Sequence, residues 1–132
     1  MSYWYKKSII SQIQLGERMS LLPSDAKKIE VDGSTVDFFE YIENGLSCYF
    51  FDTSECGPPE PMVNAMAGLK LIDSANKRLI MINHKVPGGL FGKIGQNFDH
   101  EIEELPDGRA KVTFGYLQGQ SEKADLTKNT CG

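Results

Sequence analysis

Three cysteines and two histidines are the residues of this chain whose chemistry goes beyond packing and charge: Cys48, Cys56, Cys131, His84 and His100. A thiol acts as nucleophile or ligand only as the thiolate, so its surroundings decide whether it works. Cys56 stands out because it lies two residues before Pro58, where an apolar helical pattern opens. The positive end of a helix favours an anion by about 0.3–1 kcal/mol, and by up to ~2 kcal/mol when partly buried. If Gly57 turns Cys56 back over that end, its thiol is expected to ionise more readily than an ordinary one. Cys48 lies inside an apolar run and is expected to be a small core residue. Cys131 sits in a polar terminal stretch with nothing nearby to tune it.

His84 ends an apolar run beside a second helix start, the place where α/β sheets tend to hold ligands. A histidine bonded to its own loop explains the same position. His100 alternates with acidic residues and is expected to be solvated or half-buried. Cys56, His84 and His100 lack the spacing of a zinc site, so neither a metal nor a cofactor is expected. The glycine run fails as a phosphate loop, because three residues separate Gly88 from Gly92-Lys93 and Ile94 stands where Ser or Thr must hold magnesium. No G-x-G-x-x-G occurs either. Glu101, Glu103 and Glu104 fit a solvated strand face. No complete catalytic set is visible.

The elements that must position these residues are clearer. Leu46 to Asp52 is a run of strand length, followed by Pro58-Pro59-Glu60-Pro61. Proline is tolerated only in the first turn of a helix, where its missing N–H costs nothing. That places Pro58 at the N-cap, Pro59 at N1 and Pro61 at N3, with the Glu60 charge against the positive end of the helix. Met62, Val63, Met66 and Leu69 then recur at helical spacing and predict one buried face. Arg78 to Asn83 is almost continuously apolar, as in a central strand covered on both sides. Strand–helix–strand of this length predicts parallel pairing. Pro87 starts a short helix with Leu90, Phe91 and Ile94 on one face. Phe98 to Leu105 and Arg109 to Tyr116 are two strands joined by Pro106-Asp107-Gly108.

Upstream, Asp32-Gly33 and Asn44-Gly45 both favour two-residue hairpin turns. Thr35 to Ile42 between them is rich in β-branched and aromatic residues and is taken as a strand. A helix over the same residues, capped at Ser34 and stopped at Gly45, is the rival. Residues 1–22 are expected to form an apolar arm over the core, and 117–132 a loose tail.

With 132 residues the chain is expected to be one domain. A formal charge of −4 and no basic run argue against nucleic acid. The N-terminus lacks a signal peptide's apolar centre, and no run approaches the ~18 residues of a membrane span. An odd, scattered set of cysteines suggests reduced thiols in the cytoplasm.

Residues 46–116 thus order as β-α-β-α-β-β. With Asp52, the Pro58-Pro59-Glu60-Pro61-Met62 helix opening, the His84…Pro87 junction and the closing FDHEIEELPDGRAKVTFGY, this order resembles the TusA/SirA-like superfamily. It is most similar to the domain-of-unknown-function family there that lacks the motif cysteine. The resemblance covers a little over half of the chain, and residues 1–45 stand outside it as an N-terminal extension that packs on the core and carries a hairpin. It implies an α+β fold, a two-layer sandwich of two helices against a four-stranded mixed sheet. Sulfur carriers of the superfamily hold Cys-Pro-Glu-Pro at the helix start. Its Pro-Glu-Pro matches Pro59-Glu60-Pro61, so the persulfide-bearing position is Pro58, which has no thiol. The expectation is therefore a cytoplasmic accessory module without catalysis. It would bind a partner protein or small ligand at Pro58, Pro59, Glu60, Pro61, His84 and Lys85. The alternative is a sulfur relay in which Cys56 replaces the missing cysteine.

Overall fold

The computed structural model describes residues 22–124 and residue 126, so residues 1–21 of the expected N-terminal arm and Cys131 lie outside the described residues. Chain order is β1 (Lys27–Ile29), β2 (Phe38–Glu43), β3 (Leu46–Asp52), α1 (Glu60–Leu69), β4 (Lys77–Asn83), α2 (Gly88–Ile94), β5 (Phe98–Glu104) and β6 (Ala110–Tyr116). The strands form one sheet in the order β1-β2-β3-β4-β6-β5, so the fold is α+β. Strands β3 and β4, on either side of α1, pair in parallel with Phe50 opposite Ile80. All other neighbours are antiparallel. The sheet has six strands rather than four because β1 and β2 continue it beyond β3.

Asn44-Gly45 makes the hairpin that its sequence demands. Both residues have positive φ, 53° and 78°, and Glu43 faces Leu46 across the turn. That is the geometry whose twist matches paired strands. Asp32-Gly33 behaves differently. Gly33 has φ 88° and the Ser34 N–H bonds to the Val31 carbonyl, yet residues 30–37 all separate β1 from β2. The cause lies on α1. The Asn64 Oδ1 accepts the Thr35 and Val36 N–H groups at 2.7 and 3.3 Å. Its Nδ2 donates to the Thr35 hydroxyl and the Glu60 carbonyl, both at 2.8 Å. A helix side chain thus takes the backbone donors that a longer β2 would have used, and β2 begins at Phe38 instead of Thr35.

One face of the sheet carries both helices. Phe51, Leu79, Met81, Val112 and Phe114 lie in a single buried cluster with Met62, Met66, Leu69, Leu90 and Ile94. Phe38 joins it from β2 and stacks on Phe51 with ring centroids 4.8 Å apart. Gly68 allows the close approach, since a Cβ there would meet the Leu79 methyls at 2.7 and 3.0 Å. The buried surface of α1 is wider than one stripe. Asn64, Ala65 and Ala67 are buried while Val63 is only half-buried. The loop 30–37 covers the outer side, with Gly33 close to Ala67. The opposite face of the sheet holds a second cluster of Tyr41, Cys48, Phe50, Ile80 and Ile82, packed by Leu22 and Ala26. Cys48 is a core residue, as its strand position predicts, and burial pushes its thiol pKa up.

Strand β5 is an edge whose residues beyond Phe98 are exposed, in keeping with its run of carboxylates. The first part of the expected loose tail is docked. The Ser121 hydroxyl donates to the Asn97 carbonyl at 2.7 Å and accepts the Leu117 N–H at 2.9 Å. A polar stretch without periodicity has no apolar face to announce this. Side-chain bonds from Ser121, Asn97 and Glu122 hold it, and Ala124 and Leu126 pack against the core.

Candidate functional site

The two helices begin next to each other because β3 and β4 run in parallel and end together. Thr53 and Asn83 fasten those ends. The Thr53 N–H reaches the Ile82 carbonyl at 2.8 Å, and its hydroxyl donates to the Asn83 Oδ1 at 3.0 Å. Asn83, 3% exposed, donates through its Nδ2 to the Lys85 carbonyl at 3.0 Å. Buried polar groups of this kind are costly unless paired, and here each has a partner. The result is a fixed path for the chain through His84 and Lys85.

Helix α1 opens one residue later than expected. Its N-cap is Pro59, with Glu60 and Pro61 in the first turn. The Pro59 carbonyl accepts the Val63 N–H at 3.0 Å, and the Glu60 N–H turns back to the Gly57 carbonyl at 3.1 Å. Neither Pro59 nor Pro61 costs a helical bond, so the reasoning holds with its frame shifted. The Pro58–Pro59 peptide is cis. The short helix expected from Pro87 is present, with Pro87 as its N-cap.

Between the two helix starts lies a cleft of about 680 Å³, a size that suits a small ligand. Pro58, Pro59 and Pro61 line one wall, and His84, Lys85 and Val86 line the other. Met62 and Leu90, both buried in the core, close the bottom. His84 and Lys85 are exposed, and neither side chain makes a hydrogen bond or ion pair among the described residues. The bond that fixes the His84 loop comes from Asn83, not from the imidazole. The backbone N–H groups of Met62 and Gly89 also lack an acceptor among the described residues.

Five of the six anticipated binding residues therefore meet in one cavity. Glu60 is the exception. It does not line the cleft, and its carboxylate accepts the Thr35 hydroxyl at 3.0 Å on the outer side of α1. Helical geometry explains the separation, since neighbouring residues point about 100° apart around the axis.

Cys56 belongs to a different place. It lies half-buried in a groove of about 550 Å³ lined by Leu22, Phe39 and Phe50 together with Asp52 and Glu55. Its pKa is raised, which reverses the expectation of an activated thiol. Burial is the largest cause, followed by the Glu60 charge and its hydrogen bond, then by Asp52 and Glu55. Three carboxylates and desolvation outweigh the single favourable effect of the helix start. His100 is exposed on β5, its ring 4.6 Å from that of Phe91. The described residues hold no cluster of three or more potential metal ligands, so Cys56, His84 and His100 are not assembled. No helix among them is long and apolar enough to cross a membrane.

No family model, no curated protein and no solved structure matches this chain.

Thr53, Asn64 and Asn83 were not singled out from the sequence. Asn64 did carry a signal, as an amide among apolar residues on a helix packed against a sheet. Such a residue must be either a flaw in the pattern or a latch. Asn83 and Thr53 are ordinary strand-end residues and gave none.

Proposed function

We propose that this chain is a cytoplasmic accessory module of TusA/SirA-like architecture, binding a small ligand or a segment of a partner protein in the cleft between its helix starts, without catalysis. One observation carries the reading: Pro58, Pro59, Pro61, His84 and Lys85, chosen from sequence, line one cavity whose far wall is fixed by Asn83. The TusA/SirA-like part of the proposal draws on the contiguous strands β3-β4-β6-β5, with one parallel pair and two helices on one face. The position equivalent to the sulfur-bearing cysteine is Pro58 at the mouth of the cleft.

The alternative, a sulfur relay through Cys56, has the electrostatics against it. A thiol with a raised pKa holds less thiolate near neutrality than an ordinary one.

A chemically diverse fragment library, followed by amide shifts of the ¹⁵N-labelled full chain, tests the binding reading. Shifts concentrated at residues 60–62 and 83–90 are expected. Fragments that gather elsewhere, or a library with no binders, would remove the cleft from consideration. Incubation with a persulfide donor and weighing of the intact chain tests the relay. A gain of one sulfur on Cys56 would restore it.

A further inference from the structure

We infer that the cleft selects a small amphipathic anion, a molecule with an apolar body and a single carboxylate or comparable acid group. This inference deepens the binding reading and rests on it.

Charge is the first argument. The chain as a whole carries −4, and carboxylates crowd the groove of Cys56 and the edge strand β5. The cleft differs from both, since none of its lining residues among those described is acidic. It carries the Lys85 ammonium and the polar ring of His84 instead, and neither side chain has a partner among the described residues. The Met62 N–H adds a backbone donor without an acceptor at the bottom of the same cavity. Hydrogen bonds from such donors to an ionised acid are shorter and stronger than neutral ones. A cation would find no counter-charge among the described lining residues. Asn83 offers none either, because its amide is already occupied on both sides by Thr53 and Lys85.

Size and surface favour a small molecule over a protein face. The volume of about 680 Å³ is concave and walled by four prolines, Met62, Val86 and Leu90. A stable protein interface instead requires roughly 800 Å² per partner with an apolar centre. Of the exposed large hydrophobic residues among those described, Ile42, Val86 and Ile102, only Val86 borders the cleft. An apolar body thus has walls to meet inside, while a flat partner has little to grip outside.

The test titrates the full chain with octanoate, octanamide and octylammonium at neutral pH, following the amides of Met62, Val86 and Gly89. Octanoate is expected to bind about tenfold more tightly than octanamide, the effect of one charge-assisted bond. Octylammonium is expected to leave these amides unmoved. Lys85→Gln, at an exposed side chain, is expected to cut octanoate affinity several-fold while octanamide stays as it was. Equal binding of octanoate and octanamide at the cleft would overturn the anion selectivity yet leave the binding site standing. Tighter binding of octylammonium would do the same. Failure of all three probes, where library fragments do occupy the cleft, would overturn this inference alone. Failure of both probes and fragments would take the binding reading with it.

Discussion

Two cavities flank the short passage from β3 into α1, and they differ in almost every respect that matters for chemistry. On the side of the helix-bearing face, the proline-walled cleft holds His84 and Lys85 and no acid among the described residues. On the other side, the groove of Cys56 includes Asp52 and Glu55, with Glu60 acting on its thiol. The residue with the most reactive element thus lies where its reactive form is disfavoured. Among the described residues the cleft contains no thiol, yet it carries the Lys85 ammonium without a counter-charge and a backbone donor without an acceptor. A helix start is therefore a weak guide to where a nucleophile works, because its contribution of about 1 kcal/mol is easily outweighed by carboxylates placed within a few residues.

The comparison breaks first, and most strongly, at Asn83. Asn83→Ala leaves the Thr53 hydroxyl without its side-chain partner and frees the Lys85 carbonyl. A loss of about 1–3 kcal/mol is expected in chemical denaturation, as for other broken buried networks. Amide signals over residues 84–89 should lose dispersion in the same variant. The alkylation rate of Cys56 should not change, because Asn83 has no part in that groove. A change in Cys56 would mean that the two cavities are coupled.

Glu60→Gln addresses the acidic side. Glu60 is the largest charged contributor to the raised Cys56 pKa, so its removal lowers that pKa and increases the thiolate fraction at a fixed pH. The pH profile of iodoacetamide labelling should move to lower pH, with Cys56 labelled several-fold faster at pH 8. Cleft amides should stay in place, since Glu60 does not line that cavity. An unmoved profile would show that Glu60 has no part in setting the acidity of this thiol.

How much of this could be read from residues alone divides along similar lines. Asn44-Gly45, the parallel pair around α1 and the central β4 follow from local chemistry and periodicity, and each is present. The Asp32-Gly33 turn misled because the competing partner, Asn64, lies on another element, and a turn dipeptide knows nothing of a helix 31 residues later. The cleft was legible as a set of residues because strand ends and proline-marked helix starts must converge in a parallel pair. Its charge was not, since nothing in Pro-Pro-Glu-Pro tells that the glutamate turns outward to Thr35. The acidity of Cys56 was misjudged for the same reason. Asp52, Glu55 and Glu60 are visible in sequence, but their convergence on one sulfur is not.

The smallest effect sharpens the ordering. Asp52→Asn should shift Cys56 labelling in the same direction as Glu60→Gln, but less, because Asp52 contributes after Glu60. It also weakens the partly exposed pairing with Arg109 at 3.5 Å, for a stability change of about 0.5 kcal/mol. A larger shift from Asp52 than from Glu60 would invert the electrostatic picture of the groove.

The Asn64 latch has a practical consequence for anyone who wishes to shorten this protein. A cut at the Asn44-Gly45 turn leaves a β-α-β-α-β-β unit that looks self-sufficient on paper. It would remove Phe38 from the stack on Phe51 and take away every partner of the Asn64 amide except the Glu60 carbonyl. The shortened chain would carry an exposed phenylalanine, a bared helix flank and an open β3 edge, three features that promote aggregation on expression. The minimal folding unit therefore starts no later than residue 30.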